Sequence, residues 1–328
     1  MVALTDQKGW THLIAWVSAF VVFALPMDAM AHGNKTDLVK ELYVKSGMAE
    51  QIRQIPNIFL DGFEQAVEMH VRLKRLPHGI LKAYRASLEK NFKAEDIKNR
   101  IFAECTEKLS IQDLKKILEW LDSSIGRKFA QLEKASATAE AFSNRSSFEA
   151  QNQTPSSPED RLEALRKMDA LLRATDTGVE LAMKTQLMVL IALVAHLPSE
   201  KQPETDELVA AIHKNRSIFE EVLYEETQVF LRNTYHTVTT VELEKYIAFA
   251  SSPAGGRYYH AVSAGLSKAL LEGCCNWRAS IADILKRGDE KRSVRAADPF
   301  ATDDDQSLRP LLGAIQYQVK RIRMVDYR

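Results

Sequence analysis

The chain has 328 residues with 44 basic and 44 acidic side chains, so its formal net charge is zero. That balance supplies no basic footprint of the kind nucleic-acid-binding proteins carry, and nucleic acid is excluded as an expected partner. Only 13 Gly and 10 Pro occur, too few for a turn-rich β protein, and the length with a 45% hydrophobic share permits two ordinary cores.

The first 31 residues read as a signal peptide. Lys8 and His12 precede an apolar run from Leu13 to Leu25, and Pro26 breaks it. Ala29-Met30-Ala31 then places small side chains at a cleavage site, which completes the order of a secretory signal. The run is 13 residues long, short of the roughly 20 that a spanning helix needs. Cleavage near Ala31 is therefore favoured over a membrane anchor, and the expected location is periplasmic or secreted. Losing Asp6, Asp28 and Lys8 moves the net charge to plus one.

Residues 36–72 carry apolar positions at helical spacing around Met48, Ile52, Ile55, Ile58 and Phe63. Residues 77–106 continue with Leu81, Tyr84, Leu88, Phe92, Ile97, Ile101 and Phe102. Next comes the first of two similar segments. Shifting the chain by 129 residues lays 109–129 on 238–258 without a gap, with Leu114/Leu243, Lys116/Lys245, Ser123/Ser252 and Gly126/Gly255 identical. Such self-similarity is the mark of a duplicated supersecondary unit.

Each copy predicts a capped helix and a tight turn. Ser110 and Thr239 stand three residues before Asp113 and Glu242, the spacing of a capping box. Leu114, Ile117, Leu118 and Leu121 then recur on one helical face, as do Leu243, Tyr246, Ile247 and Ala250, and Trp120 and Phe249 widen it. Ser252 suits an N-cap and Pro253 a first helical turn, with Ser123 at the matching place in the first copy. Gly126 and Gly255 follow, where a missing side chain lets the preceding helix approach. The predicted fold class is all-α, a tandem duplication of a multi-helix unit, each closing with a tight helical hairpin.

Asn144 to Asp160 is rich in Ser, Asn, Gln and Pro and reads as a linker. Leu187 to Leu197, 11 residues almost wholly apolar, predicts a buried core helix and no span. Gly288 to Pro310 is charged and poor in apolar groups, hence a connector. The organisation is then signal peptide 1–31, first helical repeat domain 32–143, linker 144–160, second helical repeat domain 161–287, connector 288–310 and basic amphipathic tail 311–328. In the tail Leu312, Ile315, Val319 and Ile322 share one side, and Lys320, Arg321 and Arg323 surround it. A basic amphipathic helix can lie on an anionic membrane. The stripe is short, so packing against the domains is favoured, with peripheral membrane contact the alternative.

A helix ending in an aromatic, followed by Ser-Pro-x-Gly and a basic residue, resembles the bacterial exported domain of unknown function 2059 family. The residues are Phe249, Ser252, Pro253, Gly255 and Arg257, while the first copy keeps Trp120, Ser123, Gly126 and Arg127 but has Ser124 where that family favours Pro. The resemblance implies helical proteins exported by Gram-negative bacteria, mostly periplasmic, and implies no reaction or catalytic residues. Two copies in one chain and the basic tail depart from its single-domain pattern.

Candidate chemistry is sparse. Glu220, Glu221, Glu225 and Glu226 form the densest carboxylate group, but a bundle metal site needs Glu-x-x-His pairs, which the chain lacks. They are expected on a solvated face. His70, His78, His196, His213, His236 and His260 show no zinc spacing, although His236 and His260 lie near the second hairpin. Asn34, Asn144, Asn152 and Asn215 sit in glycosylation triplets, read as chance matches in a bacterial protein. Cys105, Cys274 and Cys275 leave open a bridge from Cys105 to either neighbour, or three thiols. No metal or cofactor is expected. The sequence predicts an envelope protein that binds another protein or envelope component, with an envelope-acting hydrolase of unrecognised site as the alternative.

Overall fold

Helices begin in this polypeptide both with and without a side chain bonded to the open N–H groups of the first turn. A computed structural model describes residues 34–136, 158–197 and 199–292. The first half holds α1 (Lys35–Lys45), α2 (Met48–Met69), α3 (Val71–Lys74), α4 (His78–Asn91), α5 (Ala94–Lys108), α6 (Ile111–Asp122) and α7 (Ser124–Ser136). The second holds α8 (Glu159–Leu172), α9 (Ala174–Val194), a 3-10 turn at Ser199–Lys201, α10 (Thr205–His213), α11 (Arg216–Thr234), α12 (Thr240–Ala250) and α13 (Pro253–Arg292). The fold is all-α, with no strand among the described residues.

Both capping boxes form. Ser110 Oγ accepts from the Asp113 N–H at 3.0 Å, and the Asp113 carboxylate accepts from the Ser110 N–H at 3.0 Å. Thr239 and Glu242 make the same pair of bonds at 3.2 and 2.9 Å. The helices after them bury Leu114, Ile117, Leu118 and Leu121 in one half and Leu243, Tyr246, Ile247 and Ala250 in the other.

Each capped helix ends in the same elbow. Ser123 Oγ accepts from the Gly126 N–H at 3.0 Å, and Ser252 Oγ accepts from the Gly255 N–H at 3.1 Å. Pro253 begins α13, where its missing N–H costs nothing. A Cβ on Gly126 would stand 2.1 Å from the Trp120 carbonyl oxygen, and one on Gly255 2.3 Å from that of Phe249. Only glycine allows the two helices of each hairpin to lie so close.

Several boundaries differ from the sequence reading. The stretch 36–72 is divided at Gly47, whose φ of 64° is left-handed. The apolar run from Leu187 is the end of a longer helix, α9, which starts at Ala174 and stops at Val194. At 21 residues α9 is long and apolar enough to cross a membrane, but 89% of its apolar window is buried within the protein. Helix α8 begins inside the predicted linker, at Glu159, and α13 runs through Arg292, into the predicted connector. Its charged end is built from helix-favouring Lys, Arg and Glu. The predicted signal peptide, most of the predicted linker and connector, and Lys320, Arg321 and Arg323 of the predicted tail lie outside the described residues.

The expectation of two separate cores is corrected. Buried apolar side chains from Val39 to Ile281 form one contiguous cluster. The reason is where the closing helices go. Helix α13 packs on α4, α5 and α6 of the first half, while α7 packs on α11 and α12 of the second. Helix α9 also meets α2 and α3. Along α13, Ala261, Gly265, Ala269 and Gly273 recur every fourth residue. A Cβ on Gly265 would fall 2.7 Å from Ile101 Cα, so α5 and α13 cross nearly backbone to backbone.

Candidate functional site

The seam between the halves concentrates the unusual chemistry. Asp113, which caps α6, receives the Arg257 guanidinium from α13 through Nη2 at 2.5 Å and Nε at 3.1 Å. Glu242, which caps α12, receives Lys128 Nζ from α7 at 2.7 and 2.8 Å. Adding 129 to 113 and 128 gives 242 and 257, so the two ion pairs are reciprocal. Trp120 and Phe249, also 129 apart, stack face to face with centroids 4.7 Å apart and planes 8° from parallel.

Each capping carboxylate therefore serves its own helix and the opposite half together. The Arg257 guanidinium holds the Asp113 carboxyl well below the usual carboxylate range, and Lys128 with the Thr239 amide lowers Glu242 to about 2. Both shifts are depressions, so their stabilisation is whole above the ordinary carboxylate pKa near 4 and is lost as pH falls toward 2. We expect Arg257→Gln to lower stability at pH 7 and to flatten the decline between pH 5 and pH 2. Urea titrations at several pH values would check this, and an unchanged acid slope would count against the pairing.

Behind the stacked rings lies a buried polar group. Glu133 on α7 is 2% exposed. Its Oε1 accepts from Tyr235 Oη at 2.6 Å and from Tyr246 Oη at 3.2 Å, and Tyr246 Oη is 3.1 Å from Tyr259 Oη. These tyrosines come from the end of α11, from α12 and from α13, all in the second half. The other oxygen, Oε2, is buried without a protein partner. Phe129, one turn earlier on α7, packs on Tyr235 and Tyr246. Burial pushes the Glu133 carboxyl far above its ordinary range and raises the tyrosine phenols too.

A second network ties α9 to α11 and α13. Arg216 donates to Glu180 at 2.8 Å and Glu220 at 2.6 Å, and Ser267 Oγ donates to Glu180 at 3.1 Å. Buried Lys184 stands 3.5 Å from Glu180. Asp169 accepts from the Thr175 N–H, the Thr175 hydroxyl and Gln228, which spans the left-handed turn at Arg173.

The residues singled out from sequence are distributed as follows. Ser123, Gly126, Ser252, Pro253 and Gly255 form the two elbows flanking the ring stack. Glu221 and Glu225 are exposed on α11, and Glu220 pairs with Arg216. His236 Nδ1 lies 2.7 Å from the Asn233 carbonyl, and His260 is exposed on α13. Cys105 and Cys274 are buried free thiols and Cys275 is an exposed one, so the bridge left open does not form. The sequence reading missed Glu133, although Gly126, Phe129, Ala130 and Glu133 follow the spacing of a buried face. An acid at the fourth of those positions is the signal that would have found it.

Those groups are enclosed: Tyr235 and Tyr246 are no more than 1% exposed. The arrangement couples two halves, and its burial favours the neutral form of Glu133. No family model, curated protein or solved structure matches the chain.

Proposed function

We propose that this chain is an exported, non-catalytic helical protein of the bacterial envelope, built by duplication of one multi-helix unit, that works by binding a protein or other envelope component. The observation that carries the non-catalytic reading is the burial of Glu133 and its tyrosines inside the shared core. Catalytic groups with displaced pKa values belong in a cleft that substrate can enter. The outer surface instead displays large apolar side chains, with Val44, Val71 and Val241 each at least 60% exposed.

Duplication is supported by the reciprocal contacts and by elements recurring at the same offset. Adding 129 to α6 gives 240–251 against α12 at Thr240–Ala250, and α5 gives 223–237 against α11 at Arg216–Thr234. Export is supported by the Leu13–Leu25 run and Ala29-Met30-Ala31. Kinship with the exported domain of unknown function 2059 family rests on Ser252, Pro253 and Gly255 with their neighbours. The basic tail at Lys320, Arg321 and Arg323 is a second contact surface in this proposal.

The test is affinity capture from an envelope extract with the chain from His32 onward, with and without residues 311–328. Recovery of one stoichiometric component is expected. Its loss on truncation assigns binding to the tail, and its retention assigns binding to the helical body. If neither form retains anything, the binding proposal fails.

A further inference from the structure

We infer that Glu133 makes α7 a proton-controlled latch between the two halves, shut while the carboxyl is neutral and released when it ionises. The first support is geometric. Glu133 sits on the closing helix of the first half, and both hydroxyls donated to it belong to the second. An ionised carboxylate there would carry its charge with Oε2 unpaired and, among the described residues, no cation beside it. A buried charge without a partner is among the costlier defects a core can hold.

Among the described residues, the hydroxyls nearest Glu133 are those of tyrosines. Tyr235 ends α11, Tyr246 lies on α12, and Tyr258 and Tyr259 lie on α13. Buried Cys105 on α5 faces Tyr258. Arg161 of α8 gives its guanidinium to the carbonyls of Val238 and Tyr235, at 2.5 and 2.6 Å. Arg257 is held by Asp113 and Lys128 by Glu242.

The second support is a comparison the chain makes with itself. Adding 129 to 133 reaches Val262, and subtracting 129 from 235, 246 and 259 reaches Thr106, Ile117 and Ala130. Ile117 and Ala130 are fully buried, and Val262 packs against the core. One seam thus has Val262, Ile117, Ala130 and a half-buried Thr106 at the places where the other holds a carboxyl and three phenols. No carboxyl stands at the place matching Glu133 in the other seam, so Glu133 adds a dependence on protons there. The upward shift of the Glu133 pKa by burial gives its sign. The stabilisation is whole below the ordinary glutamate pKa and is lost as pH rises through the raised one.

Hydrogen–deuterium exchange on the whole chain tests this, with rates corrected for intrinsic pH dependence. The opening equilibrium of α7 should grow about tenfold per pH unit between the ordinary and the raised pKa. Helix α4, which carries none of the groups around Glu133, should show no comparable trend. Glu133→Gln, neutral at every pH, should abolish the trend in α7. A wild-type α7 whose protection does not vary with pH overturns the latch without recourse to any variant. So does an equal trend in Glu133→Gln.

Discussion

Gly126→Ala is expected to destabilise the protein by about 3 kcal/mol, the upper range for overpacking a core. The added methyl would stand 2.1 Å from the Trp120 carbonyl oxygen and 2.9 Å from its carbon. Both obstacles are backbone, so no side-chain rotation relieves the overlap, and α6 must move away from α7. That motion disturbs the Trp120–Phe249 stack, and it shifts Lys128 from Glu242 and Glu133 from its tyrosines. A thermal midpoint lower by roughly 4–5 °C would follow for a chain of this size. Gly255→Ala should act similarly, through the Phe249 carbonyl at 2.3 Å. Gly79→Ala is the control: nothing lies within 4 Å of its added Cβ. There the better helix propensity of alanine should stabilise by up to about 1 kcal/mol. Equal midpoints for all three proteins would refute the close approach at the elbows.

Trp277→Ala should cost about 3–5 kcal/mol, the usual price of deleting a large buried aromatic. Trp277 on α13 is 0% exposed. It meets Phe63 of α2 and Tyr84 of α4 edge-on, with centroids 6.0 and 6.1 Å away. Its indole N–H donates to the Tyr84 carbonyl at 3.4 Å. The residue therefore joins the second half's last helix to the middle of the first. Besides a lower urea midpoint, we expect helicity and aromatic fluorescence to cease unfolding together, because weakening this joint divides one cooperative unit. Trp277→Phe should recover most of the loss. Wild-type stability in the alanine variant would mean that the joint contributes nothing.

Much of the local structure was legible before any coordinates, and the reason is physical. Capping boxes, elbows and apolar faces depend on residues within a few positions of one another, as at Ser110, Asp113, Ser123 and Gly126. The hairpin helices followed directly from these. What the sequence reading did not contain was the partner of each apolar face. The stripe of α7 looks the same whether it closes on its own half or the other, and two cores were expected where there is one. Periodicity also left Gly47 unmarked as a break, because a left-handed residue changes direction without changing the spacing around it. The candidate site was legible only in part. Its elbows and rings were named, but Glu133 was not, since an acid in an apolar stripe draws attention only when its company is known. Cys105 and Cys274 remained open for the same reason.

The interleaving of α7 and α13 has a consequence for the order in which the molecule can be completed. A ribosome delivers the chain from its N-terminus, so α7 emerges about a hundred residues before Tyr235, Tyr246 and Tyr259 exist to receive it. Throughout that interval Phe129 and α7 have α6 beside them but none of their cover from the second half, and α4 and α5 wait still longer for α13. Unlike a string of autonomous modules, this architecture cannot finish its first part early. Vectorial synthesis leaves that part sticky until nearly the whole polypeptide is present, the interval in which a holding chaperone would have most to protect.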